Sequence, residues 1–143
     1  MATAHDIAAY ILQQRGELTA MKLQKLVYYS QAWSLVWDEE PLFPEEIQAW
    51  TNGPVVPELY KAHRGLFRVR DWPQGKPGCL TKGQRKTVDA VLDYYGDKTS
   101  QWLSDLTHRE APWLEARKGL DPGDPGRRII THASMAEYYS NPY

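Results

Sequence analysis

The 143-residue chain carries a single cysteine, Cys79. That excludes an internal disulfide framework and any metal site built on several thiolates, and it fits a reducing compartment. Charge of either sign is also missing in excess. Seventeen Lys and Arg against eighteen Asp and Glu leave a net charge of −1, too weak a field to favour nucleic acid or an anionic membrane as a partner of the isolated chain. Long apolar runs are absent as well. The longest stretch without a charged residue is Leu26–Trp37, well short of the ~20 residues that span a bilayer. The N-terminus "MATAHDIAAYILQQRG" places His5 and Asp6 where a secretory leader would be apolar. A cytoplasmic location without membrane association is expected.

Catalytic patterns are equally scarce. The four histidines are His5, His63, His108 and His132, and none falls in an H-E-x-x-H arrangement. His108 and Glu110 share the H-x-E spacing of zinc deaminases, but those enzymes need a downstream P-C-x-x-C, which one cysteine cannot supply. His108, Glu110 and Glu115 read better as a polar helix-end cluster than as metal ligands. Cys79 precedes a capped helix, yet nothing else marks it as a nucleophile. No G-x-S-x-G elbow occurs. No enzyme activity, cofactor or metal is expected.

What the chain does have is aromatics, six Trp and nine Tyr against two Phe. Amphipathic rings on this scale suit a core that meets a polar surface, or a surface that meets a partner. The hydrophobic pattern predicts a mainly α, single compact domain over residues 1–143, with at most a small strand pair near residues 47–50. Ile7, Tyr10 and Ile11 mark a first helix that Gly16 closes. Thr19 caps a second, from about 19 to 37, on which Leu23, Leu26, Val27, Ser30, Trp33 and Trp37 form a stripe. So apolar a helix belongs in the middle of the domain. Thr81 caps a further helix with Val88, Val91, Leu92 and Tyr95 on one face. Three shorter helices follow, the second opened by Pro112 and stopped by Gly119. "PQGKPG" and "DPGDPG" are expected to be exposed loops.

The most distinctive stretch is "AWTNGPVVPELYKAHRG", Ala49–Gly65. It is no phosphate cradle, because Pro54 and Pro57 each remove an N–H and Gly53 is the only glycine before the helix. Proline pushes the residue before it towards extended geometry, so Gly53 and Val56 should be extended. Pro57 suits the first position of a new helix and Glu58 suits its positive end. The segment therefore reads as a strand exit, an Asn-Gly turn, a stiff valine bridge and a helix start: a rigid corner. A second reading concerns the first two helices. Joined by "GELT", they imitate a helix-turn-helix with Lys22 and Lys25 leading the second helix, although that helix spends its next turns on apolar residues.

Three blocks in this order, "MKLQKLVYYSQAWSLV", "PLFPEEIQAWTNGPVVPELY" and "LSDLTHREAPWLEAR", resemble the Panacea antitoxin domain, a family also known as SocA-like or phage-associated antitoxin proteins. The resemblance runs from about Ala4 to Arg117. It implies a bacterial or prophage antitoxin that neutralises a cognate protein toxin, encoded by a neighbouring gene, through direct binding. One branch of the family works instead as an adaptor that delivers its toxin to a protease. Many members carry an additional N-terminal helix-turn-helix region, and DNA-binding regulation stays open as a further alternative. The corner groups Trp50, Asn52, Tyr60, Lys61, Arg64 and Arg68, aromatic, polar and basic types that anchor interfaces, and these are the expected partner-binding residues. The alternative interface is the tail, Arg127–Tyr143.

Overall fold

A computed structural model describes residues 1–141; Pro142 and Tyr143, the end of the expected domain and tail, lie outside the described residues. Helix α1 (Ala4–Arg15) opens on a reciprocal cap in which the Thr3 hydroxyl accepts from the Asp6 N–H and the Asp6 carboxylate accepts from the Thr3 N–H. After the short strand β1 (Leu18–Thr19), Thr19 caps α2 (Ala20–Trp37) by accepting from the Lys22 N–H at 3.1 Å. The chain then forms β2 (Ile47–Trp50), β3 (Gly53–Val55), α3 (Pro57–His63) and β4 (Arg68–Val69). A 3₁₀ turn (Pro77–Cys79) leads into α4 (Lys82–Tyr95), α5 (Ser100–Thr107) and α6 (Ala111–Ala116). Strand β5 (Ile129–Ile130) and α7 (His132–Ser140) close the described chain.

Mainly helical is the right class, and α2 packs against α1, α4, α5, α7 and β3. Leu23, Leu26, Val27, Tyr28, Tyr29 and Ala32 are all buried. Val88, Val91, Leu92 and Tyr95 of α4 are buried against them, as a single apolar face requires. The stripe leaves the core at its last turn. Trp33 is only half-buried, donating its indole N–H to the Tyr95 hydroxyl at 3.0 Å, and Trp37, stacked on Trp33 at 4.9 Å, is 50% exposed.

The strand content exceeds the expected pair. Among the described residues five short strands form a two-stranded sheet, β1–β4, and a three-stranded sheet ordered β3–β2–β5, all antiparallel. Three of the five are two residues long, too short to show a period in sequence. The helix-opening Pro112 does sit in the first turn of α6, but α6 ends at Ala116, before Gly119. The "PQGKPG" loop is tied down at its centre: the Lys76 N–H donates to Asp6 at 2.8 Å, and a Cβ on Gly75 would lie 2.0 Å from the His5 carbonyl oxygen. Only glycine allows the loop to rest on α1. No described helix is long and apolar enough to cross a membrane.

Candidate functional site

The Ala49–Gly65 segment folds as a β-hairpin that runs straight into a helix. Trp50 faces Gly53 in the β2–β3 register, so the two turn residues are Thr51 and Asn52 rather than Asn52 and Gly53. Gly53 is the first strand residue after the turn, at φ +121°. A Cβ there would lie 2.6 Å from Cε of Lys25, so the hairpin rests directly on α2 at a position only glycine fits. Val56 is extended, at φ −91° and ψ 107°, and Pro57 opens α3 behind it.

A hairpin tip that turns into a helix has few strand neighbours, and buried carbonyls need partners. Side chains supply them here, one after another. Arg117 donates to the Ala49 carbonyl at 3.0 Å, and the Trp113 indole to Trp50 at 2.8 Å. Nε2 of His108 lies 3.0 Å from the Thr51 oxygen, and the Ser104 hydroxyl donates to Asn52 at 3.0 Å. Lys25 reaches the Pro54 carbonyl at 3.4 Å. Gln24 completes the row, its amide oxygen accepting from the Val56 N–H at 2.9 Å and its amide nitrogen donating to the Val56 carbonyl at 3.3 Å. The side chains come from two of the quoted blocks, Arg117 being the last residue of its block, and the backbone groups they hold all lie in the other. That explains physically why the three blocks occur together: two of them hold the third in place.

Two of these donors are fully buried. Gln24 also donates to Nε2 of His63 at 2.9 Å, which leaves the His63 proton on Nδ1. Burial, and secondarily the Lys25 charge, holds His63 below its ordinary range. Lys25 has no carboxylate partner among the described residues, and burial pushes its ammonium down to about 7. The helix-turn-helix alternative would set this lysine in a DNA groove; instead it lies beneath the hairpin with no exposed surface. A helical stripe does not distinguish a buried lysine from a flanking one, so this burial carries no local signature.

The expected partner-binding residues divide into two groups. Trp50, Asn52 and Tyr60 come together: the Trp50 and Tyr60 rings meet edge to face at 5.0 Å, and all three line one cavity beside the hairpin. Lys61, Arg64 and Arg68 do not line it. Lys61 is ion-paired with Glu58 at 2.8 Å, Arg64 is exposed at the end of α3, and Arg68 lies in β4 with Glu17 at 3.9 Å. Arg127 was not among the expected corner residues, yet its guanidinium stands 5.0 Å over the Trp50 ring. It lies far from the corner in sequence, and no local pattern links the two.

His108 and Glu110, the pair that resembled a metal motif, face different partners. His108 bridges the Ser104 and Thr51 carbonyls, whereas Glu110 accepts from the Tyr29 hydroxyl at 2.6 Å and the Tyr139 hydroxyl at 2.8 Å. Among the described residues no three His, Cys, Asp or Glu side chains are grouped to hold a metal ion.

The molecule is thus a helical domain whose most elaborated surface is a hairpin fixed by its neighbours' side chains. The chain belongs to the family described as antitoxin SocA-like, Panacea domain, whose model matches residues 23–114, more than half of the chain. The match contains Gln24, Lys25, the whole hairpin, Ser104, His108 and Trp113, and leaves α1, Arg117, Arg127 and α7 outside it. An antitoxin role in general, with a toxin as partner, is what that membership supports. Searches among curated proteins and solved structures give no match.

Proposed function

We propose that this protein neutralises a cognate protein toxin, encoded by a neighbouring gene of its bacterial or prophage source, by binding it directly at the hairpin corner. The observation that carries this reading is the row of backbone carbonyls held by Arg117, Trp113, His108, Ser104, Lys25 and Gln24. A surface fixed in that way loses little conformational entropy when a partner docks. It presents Trp50, Asn52 and Tyr60, with Lys61, Arg64 and Arg68 extending the contact along α3 and β4, and aromatic and arginine side chains anchor interfaces. The chain acts as one cytoplasmic unit over residues 1–143, a binding module rather than an enzyme.

The test is co-expression with the product of the adjacent gene. That product should arrest growth alone, be harmless beside this protein, and co-purify with it in a stable complex at an undiminished toxin level. Rescue accompanied by protease-dependent loss of the toxin would replace direct neutralisation by delivery to a protease. A specific, steeply salt-dependent shift of the operon's own promoter by the isolated chain would favour a DNA-binding regulator. Failure to rescue would end the antitoxin reading for this pair.

A further inference from the structure

The cavity beside the hairpin holds about 330 Å³, space for on the order of ten water molecules at ~30 Å³ each. Trp50, Thr51 and Asn52 form one side of its lining, and Val55, Tyr60 and His63 continue it from β3 into α3. Met21 and Gln24 of α2 also line it, and Pro125, Gly126 and Arg127 complete it from the loop before β5. This last segment is held at both flanks. Arg117 donates to the Asp124 carbonyl at 2.5 Å while it grips Ala49, and the Ala49 N–H donates to the Arg128 carbonyl at 2.8 Å.

The buried polar side chains of the lining, Gln24 and His63, already have partners, since they are bonded to each other and Gln24 is bonded to Val56 as well. No buried polar side chain of the lining is left over to orient a small polar ligand, and the volume sits at the bottom of the range of ~300–1,000 Å³ usual for such sites. The remaining surface is mainly Trp50, Tyr60, Val55 and Met21. No carboxylate of the described residues lines it. Asp124, which precedes Pro125 in the chain, turns its carboxylate to the Asp121 N–H at 3.2 Å. Arg127 is exposed and, among the described residues, makes neither an ion pair nor a hydrogen bond; its guanidinium is steadied only by the Trp50 face. Lys61 and Arg68, by contrast, each have a carboxylate of this chain beside them.

We propose that this cavity receives one aromatic or large aliphatic side chain of the toxin, and that a carboxylate flanking that side chain in the toxin pairs with Arg127. The inference rests on the antitoxin reading and deepens it by naming the chemistry of the partner's anchor. An apolar anchor in a desolvated pocket beside an arginine–carboxylate pair is the arrangement that concentrates binding energy in few residues. A guanidinium already laid over an aromatic face loses less freedom on pairing than a free one. Pro125, Gly126 and Arg127 lie beyond the family-matched residues 23–114. The pocket therefore joins a hairpin belonging to the family segment with a wall supplied from outside it, and that wall selects the partner.

The experiment measures binding of the full chain to the product of the adjacent gene by titration calorimetry, beside the melting temperature of each variant. Arg127→Glu should weaken binding by about tenfold or more, as reversing one member of a desolvated charge pair does. Met21→Trp, which fills the cavity mouth from a half-buried position, should weaken it comparably. Both should melt within a few degrees of the parent, and Arg127→Gln replaces Arg127→Glu if that variant does not. Replacing one surface Asp or Glu of the toxin by Arg should restore binding to Arg127→Glu. Parent-like affinity in folded Arg127 and Met21 variants overturns the pocket while leaving the antitoxin role intact. No complex with the unmutated chain overturns both.

Discussion

Two buried ionisable side chains meet α2 one turn apart, and the fold treats them in opposite ways. Glu110, at the start of α6, accepts from the hydroxyls of Tyr29 and Tyr139, and Tyr139 is bonded in turn to Tyr28 at 3.0 Å. Tyr95 stacks on Tyr29 at 4.1 Å, so the acid sits inside a closed aromatic network. Lys25 has one carbonyl at 3.4 Å and, among the described residues, no counter-charge. A satisfied buried network rigidifies a core, whereas an uncompensated buried ammonium carries a desolvation cost. The acid therefore serves the fold. The lysine is an expense at the point where the hairpin rests on α2, the region assigned to partner binding.

The sharpest break of this contrast is at the acid. Glu110→Ala leaves buried tyrosine hydroxyls without their acceptor and should cost about 3 kcal/mol in urea unfolding, at ~1–3 kcal/mol for each orphaned group. A loss under about 1 kcal/mol would show that the network is not closed. Glu110→Gln keeps an acceptor oxygen and should cost much less. Next comes the hairpin's seat. Gly53→Ala forces a side chain into φ +121° and within 2.6 Å of Lys25 Cε, with an expected cost of about 2 kcal/mol. The same change at Gly16, φ +75° with nothing within 4 Å of the added Cβ, meets only the backbone penalty and should cost less.

Lys25→Met should leave stability at pH 7 unchanged or raise it, since removing an unpaired buried charge for an apolar chain of similar volume is neutral to favourable. The two groups should also give opposite pH slopes. Lys25 titrates at about 7 in the folded chain, against about 10.4 when unfolded. Between those values the unfolded chain binds more protons, so stability rises with pH, by a few kcal/mol at most; below about 7 the full cost of the buried charge is present. Burial raises the Glu110 carboxyl despite its two tyrosine donors. Across the window above its ordinary value the folded chain binds more protons, and stability falls as pH rises through it. Urea midpoints measured from pH 5 to pH 9 should lose the alkaline rise in Lys25→Met and the acidic fall in Glu110→Gln. A parent slope that survives both substitutions would detach these residues from the pH response.

How much of this was legible beforehand follows a simple division. Helix caps and apolar stripes are local, and Gly16, Thr19, Thr81 and the Val88–Tyr95 face stand where periodicity and cap chemistry put them. The rigid corner was legible too, because Pro54 and Pro57 restrict their own neighbourhood. Why it is rigid was not. His108, Trp113 and Arg117 reach back across more than fifty residues to bond single carbonyls, and a donor on a helix carries no mark of its distant acceptor. Half of the cavity escaped for the same reason, since Arg127 meets Trp50 only once β5 has paired with β2. The two-residue strands and the turn at Thr51–Asn52 fall below what a period can show.

The smallest expected effect on stability comes from the other side of the corner. Arg64 and Arg68 are exposed, and the Arg68–Glu17 contact at 3.9 Å joins two side chains that are each about half open to solvent. Such pairs contribute about 0–1 kcal/mol, and reversing the charge adds only a screened repulsion from Glu17. The double variant Arg64→Glu, Arg68→Glu should therefore melt within a few degrees of the parent. Binding is a different matter if the interface runs from the cavity along α3 to β4. Two new carboxylates would then face the acidic residue that Arg127 attracts, and rescue of toxin-expressing cells should be lost although the fold is intact. Full rescue by a normally melting double variant would confine the contact to the cavity side. Arg127→Glu would then be the one charge reversal at this corner that separates folding from neutralisation, and Lys61, held by Glu58 at 2.8 Å, would drop out of the interface with Arg64 and Arg68.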